Sequence, residues 1–205
     1  MRIVVFGASG RAGLYIVKEA LEREHRVAAF TRRPEAFPLG HPKLDIIGGD
    51  VLDPAAVARA VRGAHGVICA LGARRRRDTT VLSKGTENII RGMEAAGCRR
   101  LVCLSSAGIL SRGARLFFGR GISRIFERRA SAVKKEQLGR LLASGLDWVL
   151  VGTPRFREGP GSGRAQVTCD GPAGRYVFLG DLAAFLVEEL EKGRYLKKLP
   201  TISSA

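Results

Sequence analysis

The sequence predicts an α/β fold in a single domain of 205 residues, with a doubly wound parallel sheet covered by helices on both faces. Three observations predict this class. Short apolar segments alternate with segments of helical periodicity along the whole chain. The apolar segments are nearly continuous, as in strands that are buried on both faces. Glycines at Gly7, Gly10 and Gly13 follow the first apolar segment, where a strand would turn into a helix.

Each element has its own local signal. The apolar run RIVVF predicts the first strand, and apolar residues recur at helical spacing from Leu14 to Leu21. Asp53 and Pro54 are typical of the cap and the first residue of a helix, and Asp181 is placed to cap the last helix. The predicted strands span residues 2–6, 26–30, 43–50, 66–71, 99–107 and 146–154, and the predicted helices span 11–24, 53–64, 79–97, 123–145 and 180–193.

Irregular segments are expected at residues 31–42, 71–78, 105–122 and 152–165. Three of the four directly follow a predicted strand, and they are rich in Gly, Ser and Arg. In a doubly wound sheet such loops lie at the carboxyl edge, where ligands bind. The sequence therefore predicts the functional site at this edge.

The formal net charge is +16, from 35 Lys and Arg against 19 Asp and Glu. A nucleic acid, an anionic small ligand or a basic surface without a single partner would each explain it. The basic residues are spread along the chain rather than gathered in a tail, which favours the second and third explanations. No apolar run is as long as a membrane span, and the start does not resemble a signal peptide, so we expect a cytoplasmic protein.

The 4 cysteines form no CxxC pair, and the 3 histidines are scattered. Cys69 and Cys103 lie in apolar strand-like runs, which predicts buried thiols in a reducing compartment. We expect no metal site.

The stretch GASGRAG, residues 7–13, lies between the first predicted strand and the first predicted helix. In this context it predicts a cradle for the phosphates of a dinucleotide. Gly7 would make the turn, Gly10 would let the backbone approach the pyrophosphate, and Gly13 would let the helix pack close to the sheet. The cradle would also include Ser9, Arg11 and Ala12 at the positive end of the helix. The alternative is a tight turn without a ligand.

The end of the second strand selects the dinucleotide. NAD-binding folds of this kind place an acid there to hold the ribose hydroxyls. Here Thr31, Arg32 and Arg33 occupy the position, and guanidinium groups pair with a 2′-phosphate where a carboxylate would repel it. The sequence therefore predicts NADP (as NADPH) rather than NAD. The alternative is an ordinary solvated arginine pair.

With the glycine loop, the motifs TRRP (31–34), GGDVLD (48–53) and LSSAG (104–108) resemble those of the atypical short-chain dehydrogenases/reductases. These are single-domain NAD(P)-binding Rossmann proteins. Within them the chain is most similar to the biliverdin-IXβ reductase/flavin reductase group, which uses NADPH. Residues 79–110 and 167–186 carry that likeness, and the resemblance covers essentially the whole chain.

The resemblance implies roles for further residues. Asp50 and Val51 would flank the adenine; Ala70, Leu71 and Gly72 would line the cofactor path; Ser105 and Ser106 would lie by the nicotinamide, with Ser106 on the family's active-site serine; and Pro154, Arg155 and Phe156 would border the nicotinamide. Arg155 stands where this group typically has a histidine, and it would suit a carboxylate or phosphate on the substrate.

The short-chain dehydrogenase Tyr-x-x-x-Lys pair is incomplete in this chain. Lys134 falls on the lysine and Ala130 on the tyrosine. Without a phenol, the reduction of a ketone lacks its usual proton donor. A flavin or tetrapyrrole acceptor fits better, because hydride goes to a conjugated ring and the proton can come from water.

Basic and glycine-rich segments lie in the expected loops. ARRRRD (73–78) is either a solvated charge run or a clamp on the cofactor pyrophosphate or an acidic substrate, with Arg74 the favoured contact. Residues 111–129 are either a substrate-side flap or a core-packing helix, and the mobile loop 157–164 could close over substrate.

These observations favour an NADPH-dependent reductase of a planar, anionic acceptor, either a flavin or a bilin. The alternative is a non-catalytic NADP-sensing regulator, which the missing tyrosine also permits. Nucleic-acid binding is disfavoured because no recognition motif is present. We expect a monomer or a weak homo-oligomer.

Overall fold

The computed structural model describes residues 1–72, 79–106, 136–169 and 174–204. The strands are β1 (Arg2–Phe6), β2 (Arg26–Thr31), β3 (Leu44–Gly48), β4 (Gly66–Cys69), β5 (Arg100–Ser106), β6 (Asp147–Thr153), β7 (Arg155–Arg157), β8 (Ala165–Thr168), β9 (Tyr176–Phe178) and β10 (Thr201–Ser204). The helices are α1 (Arg11–Glu22), α2 (Pro54–Val61), α3 (Thr79–Ala95), α4 with 136–143 as its described part, and α5 (Leu179–Lys192). A short 3₁₀ helix spans Pro34–Ala36.

The main sheet has 8 strands in the order β3-β2-β1-β4-β5-β6-β10-β8. All neighbours pair in parallel except β8 and β10, which pair antiparallel. The chain moves outward from β1 to β2 and β3 and then returns to β4 on the other side of β1. This reversal opens a crevice at the carboxyl ends of β1 and β4, where ligands bind in this class of fold. The predicted fold class is confirmed.

Side chains of the central strands alternate between two apolar layers. Ile3 and Val5 of β1 belong to the core cluster that includes α1 and α5, whereas Val4 and Phe6 belong to the cluster that includes α2, α3 and α4. All four are fully buried. The sheet is therefore covered on both faces, which explains why its strands are nearly continuous apolar runs.

Four short strands were not predicted from the sequence. Of these, β8 and β10 extend the main sheet, while β7 and β9 form a separate parallel ribbon of 2 strands. Only Pro154 separates β7 from β6, so the ribbon begins at the carboxyl edge of the sheet. Among the described helices, none is long and apolar enough to cross a membrane.

Helix α2 begins as predicted, but α5 does not. Asp53 caps α2 by accepting a hydrogen bond from the N–H of Ala55 at 2.9 Å, with Pro54 as the first helical residue. Helix α5 instead begins at Leu179 after Phe178, and neither residue provides a side-chain cap. The prediction that Asp181 caps this helix is wrong, because its side chain holds a neighbouring loop and the strand β10.

Candidate active site at the carboxyl edge of the sheet

The glycine loop lies in the crevice between β1 and β4. Gly7 has a φ of +79°, and a Cβ built on it would lie 2.5 Å from the carbonyl oxygen of Ala70, so no other residue fits without moving the backbone. A Cβ on Gly13 would overlap the carbonyl oxygen of Gly7. Gly10 is less constrained, since its Cβ would lie 3.1 Å from the same oxygen. The loop thus packs tightly against both α1 and the end of β4.

The N-terminus of α1 faces outward from this loop without a side-chain cap. Gly10 is the capping residue, its N–H donates to the oxygen of Gly7 at 2.9 Å, and the first turn contains no acidic residue. Ser9 and Arg11 are exposed, whereas Ala12 is buried. Uncapped N–H groups and the helix dipole make this end attractive to anions. The residues present therefore fit a dinucleotide pyrophosphate, since the described part of the chain offers the first turn of α1 neither a side-chain cap nor an acid of its own.

The tip of β2 combines a buried threonine with two exposed arginines. Thr31 is buried, and its Oγ1 accepts a hydrogen bond from the N–H of Arg33 at 3.3 Å. The side chains of Arg32 and Arg33 make no ion pair with any described residue. Their guanidinium groups are therefore available to an incoming phosphate.

The region expected to flank the adenine follows β3. Asp50 is exposed, and its carboxylate accepts a hydrogen bond from the N–H of Leu52 at 2.9 Å. Val51 is buried, and its carbonyl oxygen accepts one from the side-chain amide of Asn88 in α3 at 2.9 Å. A Cβ on Gly85 of α3 would lie within about 3 Å of Val51 and of Leu71. Helix α3 thus holds the ends of β3 and β4 together.

The residues after β4 continue this edge. The N–H of Ala70 donates to the oxygen of Phe6 at 2.9 Å, which extends the pairing of β1 and β4 by one residue. Leu71 is half-buried and Gly72 is exposed. Arg74 lies outside the described residues, as do Ala130, Lys134 and the whole of 111–129.

The two serines predicted near the nicotinamide end β5. Ser105 is opposite Gly152 and Ser106 is opposite Thr153 of β6. Thr153 donates through Oγ1 to the carbonyl oxygen of Ser105 at 3.1 Å, while Ser105 Oγ is buried and has no hydrogen-bond partner among the described residues. The side chain of Ser106 lies outside the described part of the chain. A buried hydroxyl usually has a hydrogen-bond partner, and none of the described residues provides one for Ser105.

The ribbon of β7 and β9 continues from the end of β6. Pro154 and Phe156 are half-buried, and Arg155 and Arg157 are exposed on the outer face. The guanidinium carbon of Arg157 lies 3.9 Å from the centre of the Tyr176 ring. The outer face of the ribbon therefore presents aromatic and cationic groups together.

Residues 158–163, which we call the strap, follow β7 in the chain and contact the first turns of α1 beside the glycine loop. Glu158 Oε1 lies 3.0 Å from Arg11 Nε, and the N–H of Gly159 donates to the hydroxyl of Tyr15 at 3.2 Å. The sequence indicated a glycine-rich loop here, but no local pattern indicated that Glu158 reaches the first residue of α1. Tyr15 and Glu158, like Asn88 and Tyr176, are residues of this site to which the sequence analysis assigned no role.

The paired thiols of Cys69 and Cys103 lie beneath this edge. They are opposite each other in β4 and β5, and both are buried, as the sequence predicted. The hydrogen bond that the Cys103 thiol donates to the Cys69 sulfur, together with burial, raises the pKa of Cys103 well above its ordinary value. A thiol held protonated in this way is a poor nucleophile, and we assign it a packing role.

Comparisons with known proteins give the chain its relatives. The sequence model of a family described as NAD(P)H-binding matches residues 7–193. A stretch of 124 residues is 33% identical to the 3-beta-hydroxysteroid dehydrogenase of Mycolicibacterium neoaurum and covers 55% of this chain and 34% of that protein. A stretch of 179 residues is 31% identical to the 2-alkyl-3-oxoalkanoate reductase of Stenotrophomonas maltophilia and covers 78% of this chain and 52% of that protein.

A solved structure shares the fold over its full length. ChuY, an anaerobillin reductase from Escherichia coli O157:H7, has a TM-score of 0.77 at 21% identity, and the match covers 100% of this chain and 97% of that chain. The chain spans about a third to a half of the length of the two curated relatives.

Proposed function

This chain belongs to the NAD(P)H-binding family, and from that premise we propose that it is an NADPH-dependent reductase of a planar conjugated acceptor, such as a flavin or a bilin. The observation that carries the proposal is the cradle at the crevice. Its glycines leave no room for a Cβ at Gly7 or Gly13, and the end of α1 has neither a cap nor an acid. When bound there, the reduced nicotinamide supplies the hydride.

The choice of NADPH over NADH rests on the tip of β2. The described residues offer no carboxylate partner to Arg32 or Arg33, and Thr31 holds the turn that presents them. Two guanidinium groups stabilise a 2′-phosphate through charge-assisted hydrogen bonds, which a ribose hydroxyl cannot match.

The acceptor would lie at the ends of β5 and β6. Ser105 provides a buried hydroxyl without a partner among the described residues, suited to orient a carboxamide or an acceptor carbonyl. Beside it, Arg155 and Arg157 would attract an anionic group, and the Tyr176 ring adds an aromatic surface. Catalysis in this proposal depends mainly on positioning, with water as the proton source.

The relatives support the assignment to the oxidoreductases more strongly than they support a flavin or bilin as the acceptor. Two of them are named as a dehydrogenase and a reductase, and the full-length structural likeness is to a protein named as an anaerobillin reductase. Ala130 at the tyrosine position of the resemblance favours an acceptor that needs no phenolic donor.

The first test measures dinucleotide binding by titration calorimetry. We expect NADP⁺ to bind more tightly than NAD⁺, and the double variant Arg32→Gln with Arg33→Gln to weaken NADP⁺ about tenfold or more while leaving NAD⁺ unchanged. Arg26→Gln is the matched control, because Arg26 is exposed at the opposite end of the same strand. Equal affinity for both dinucleotides, unaffected by the double variant, would contradict the choice of NADPH.

The second part of the test follows NADPH oxidation with FMN, FAD or biliverdin. Turnover with at least one of them supports the reductase. Tight NADPH binding without turnover of any of the three would overturn it in favour of an NADP-sensing regulator.

A further inference from the structure

The strap places a carboxylate against the phosphate cradle. Glu158 pairs with Arg11, the first residue of α1, at a distance of 3.0 Å between Oε1 and Nε. Both side chains remain more than half exposed, at 67% and 60%. The pair therefore lies at the mouth of the cradle, where an incoming phosphate would meet it.

Three further hydrogen bonds hold the strap in this position. The N–H of Gly159 donates to the hydroxyl of Tyr15, which lies one helical turn after Arg11 on the same face of α1. At its other end, Ser162 Oγ and the N–H of Gly163 donate to the buried carboxylate of Asp181 at 2.9 and 3.0 Å. Because both ends are fixed, Glu158 is presented to Arg11 by the fold and not by chance rotation of a free loop.

The charges decide what this contact does. The first turn of α1 has no acidic residue of its own, which suits an anion. Glu158 adds a negative charge from another part of the chain, and it forms an ion pair with the guanidinium of Arg11 beside the cradle. A phosphate at the cradle would be repelled by Glu158 and would compete with it for Arg11.

We propose that Glu158 is an internal competitor for the dinucleotide phosphates: it lowers the affinity of the cradle for the cofactor and promotes its release. This inference rests on the proposed function, since it assumes that the cradle binds a dinucleotide. It assigns to the strap a role in setting cofactor affinity, with Glu158 as the residue that determines it.

The test compares the dissociation constants for NADP⁺ in the full chain. We expect Glu158→Gln to bind about 3- to 10-fold more tightly than the wild type, since an exposed ion pair and one like-charge repulsion are both removed. Arg11→Gln should weaken NADP⁺ binding. Glu158→Gln should increase the NADP⁺ affinity of the Arg11→Gln variant by a smaller factor than it increases the affinity of the wild type. Glu22→Gln is the matched control, because Glu22 is exposed at the far end of α1 and changes the net charge equally.

Salt provides a second readout. At about 1 M ionic strength the screening length is about 3 Å, and the difference between the wild type and Glu158→Gln should fall below about twofold. Unchanged or weaker NADP⁺ binding by Glu158→Gln would overturn the inference while leaving the proposed function intact. Failure of the wild type to bind NADP⁺ would overturn both the inference and the proposed function. If Glu158→Gln and Glu22→Gln increase the NADP⁺ affinity by the same factor, the effect is one of net charge, and the inference alone is overturned.

Discussion

At the scale of single residues, the three glycines of the opening loop are not equivalent. Gly7 has a positive φ, and a side chain on it would also clash with Ala70. Gly13 has no such backbone requirement, but a Cβ on it would meet the carbonyl oxygen of Gly7. A Cβ on Gly10 would lie 3.1 Å from the carbonyl oxygen of Gly7, so this oxygen would have to shift by only a few tenths of an ångström. The order of intolerance to alanine should therefore be Gly7 and Gly13 first and Gly10 last.

Gly13→Ala tests this order. The added methyl group would push α1 away from the loop, so we expect the free energy of unfolding to fall by about 1–3 kcal/mol and NADP⁺ binding to weaken. Gly40→Ala is the control, because a Cβ there meets nothing within 4 Å, and it should change stability by less than about 0.5 kcal/mol. Urea unfolding measures both. Equal stability of the two variants would contradict the packing argument.

Also at this scale, the site was predictable only where its signal was local. The glycine spacing and the arginines after β2 are short patterns, and the structure places them at the edge that the pattern indicates. The contact of Arg11 with Glu158 joins residues 147 positions apart, and neither residue has a neighbouring pattern that indicates the other. Such a contact follows from the path of the whole chain, which local periodicity does not contain.

At the scale of elements, the strap, α5 and β10 meet at one buried carboxylate. Asp181 accepts hydrogen bonds from Ser162 Oγ, the N–H of Gly163 and Ser204 Oγ at 2.9, 3.0 and 2.6 Å. It is 4% exposed, so water cannot replace these donors. A single side chain thus ties a loop to a helix and to a strand of the main sheet.

Asp181→Asn should lower the free energy of unfolding by about 1–3 kcal/mol, because an amide offers one acceptor oxygen to three donors. Ser162→Ala removes only one of the three bonds and should cost less. Urea unfolding measures the difference, and limited proteolysis should show that cleavage within residues 158–163 increases in the asparagine variant. Cleavage that stays at the wild-type rate would separate Asp181 from the position of the strap.

The strands that the sequence predicted have a local apolar pattern, and the strands that it did not predict lack one. β1 and β4 are apolar runs whose burial is evident in the sequence. β7 has 3 residues, two of them arginines, and β9 has 3 as well, so neither contains enough residues for a pattern. They pair Arg155 with Tyr176, and this contact joins two segments that no local pattern links.

At the scale of the whole molecule, acid should destabilise the protein. Hydrogen bonds from Arg99 and Lys192 hold the pKa of Asp147 and that of Glu188 below their ordinary values of 3.8 and 4.5. A carboxyl group whose pKa is lower in the folded state than in the unfolded state stabilises the fold at any pH above its unfolded pKa. This stabilisation is lost as the pH falls through the pKa of the folded state. Burial raises the pKa of Glu189, which acts in the opposite direction but is a single group.

We therefore expect the free energy of unfolding in urea to fall steadily from pH 5 to pH 3. The net charge of +16 adds to the effect, because protonated carboxyls leave the positive charges without compensation. Asp147→Asn should show a shallower dependence over the same interval, since it has lost one titrating group. A dependence as steep as that of the wild type would exclude Asp147 from the effect.

The position of β10 determines when the sheet can be completed. β10 lies between β6 and β8, and among the described strands β8 pairs with β10 alone. During synthesis the ribosome releases β8 well before β10, so β8 and the outer edge of β6 must wait unpaired while the strands from β1 to β5 already have their neighbours. That edge should be the last part of this sheet to assemble.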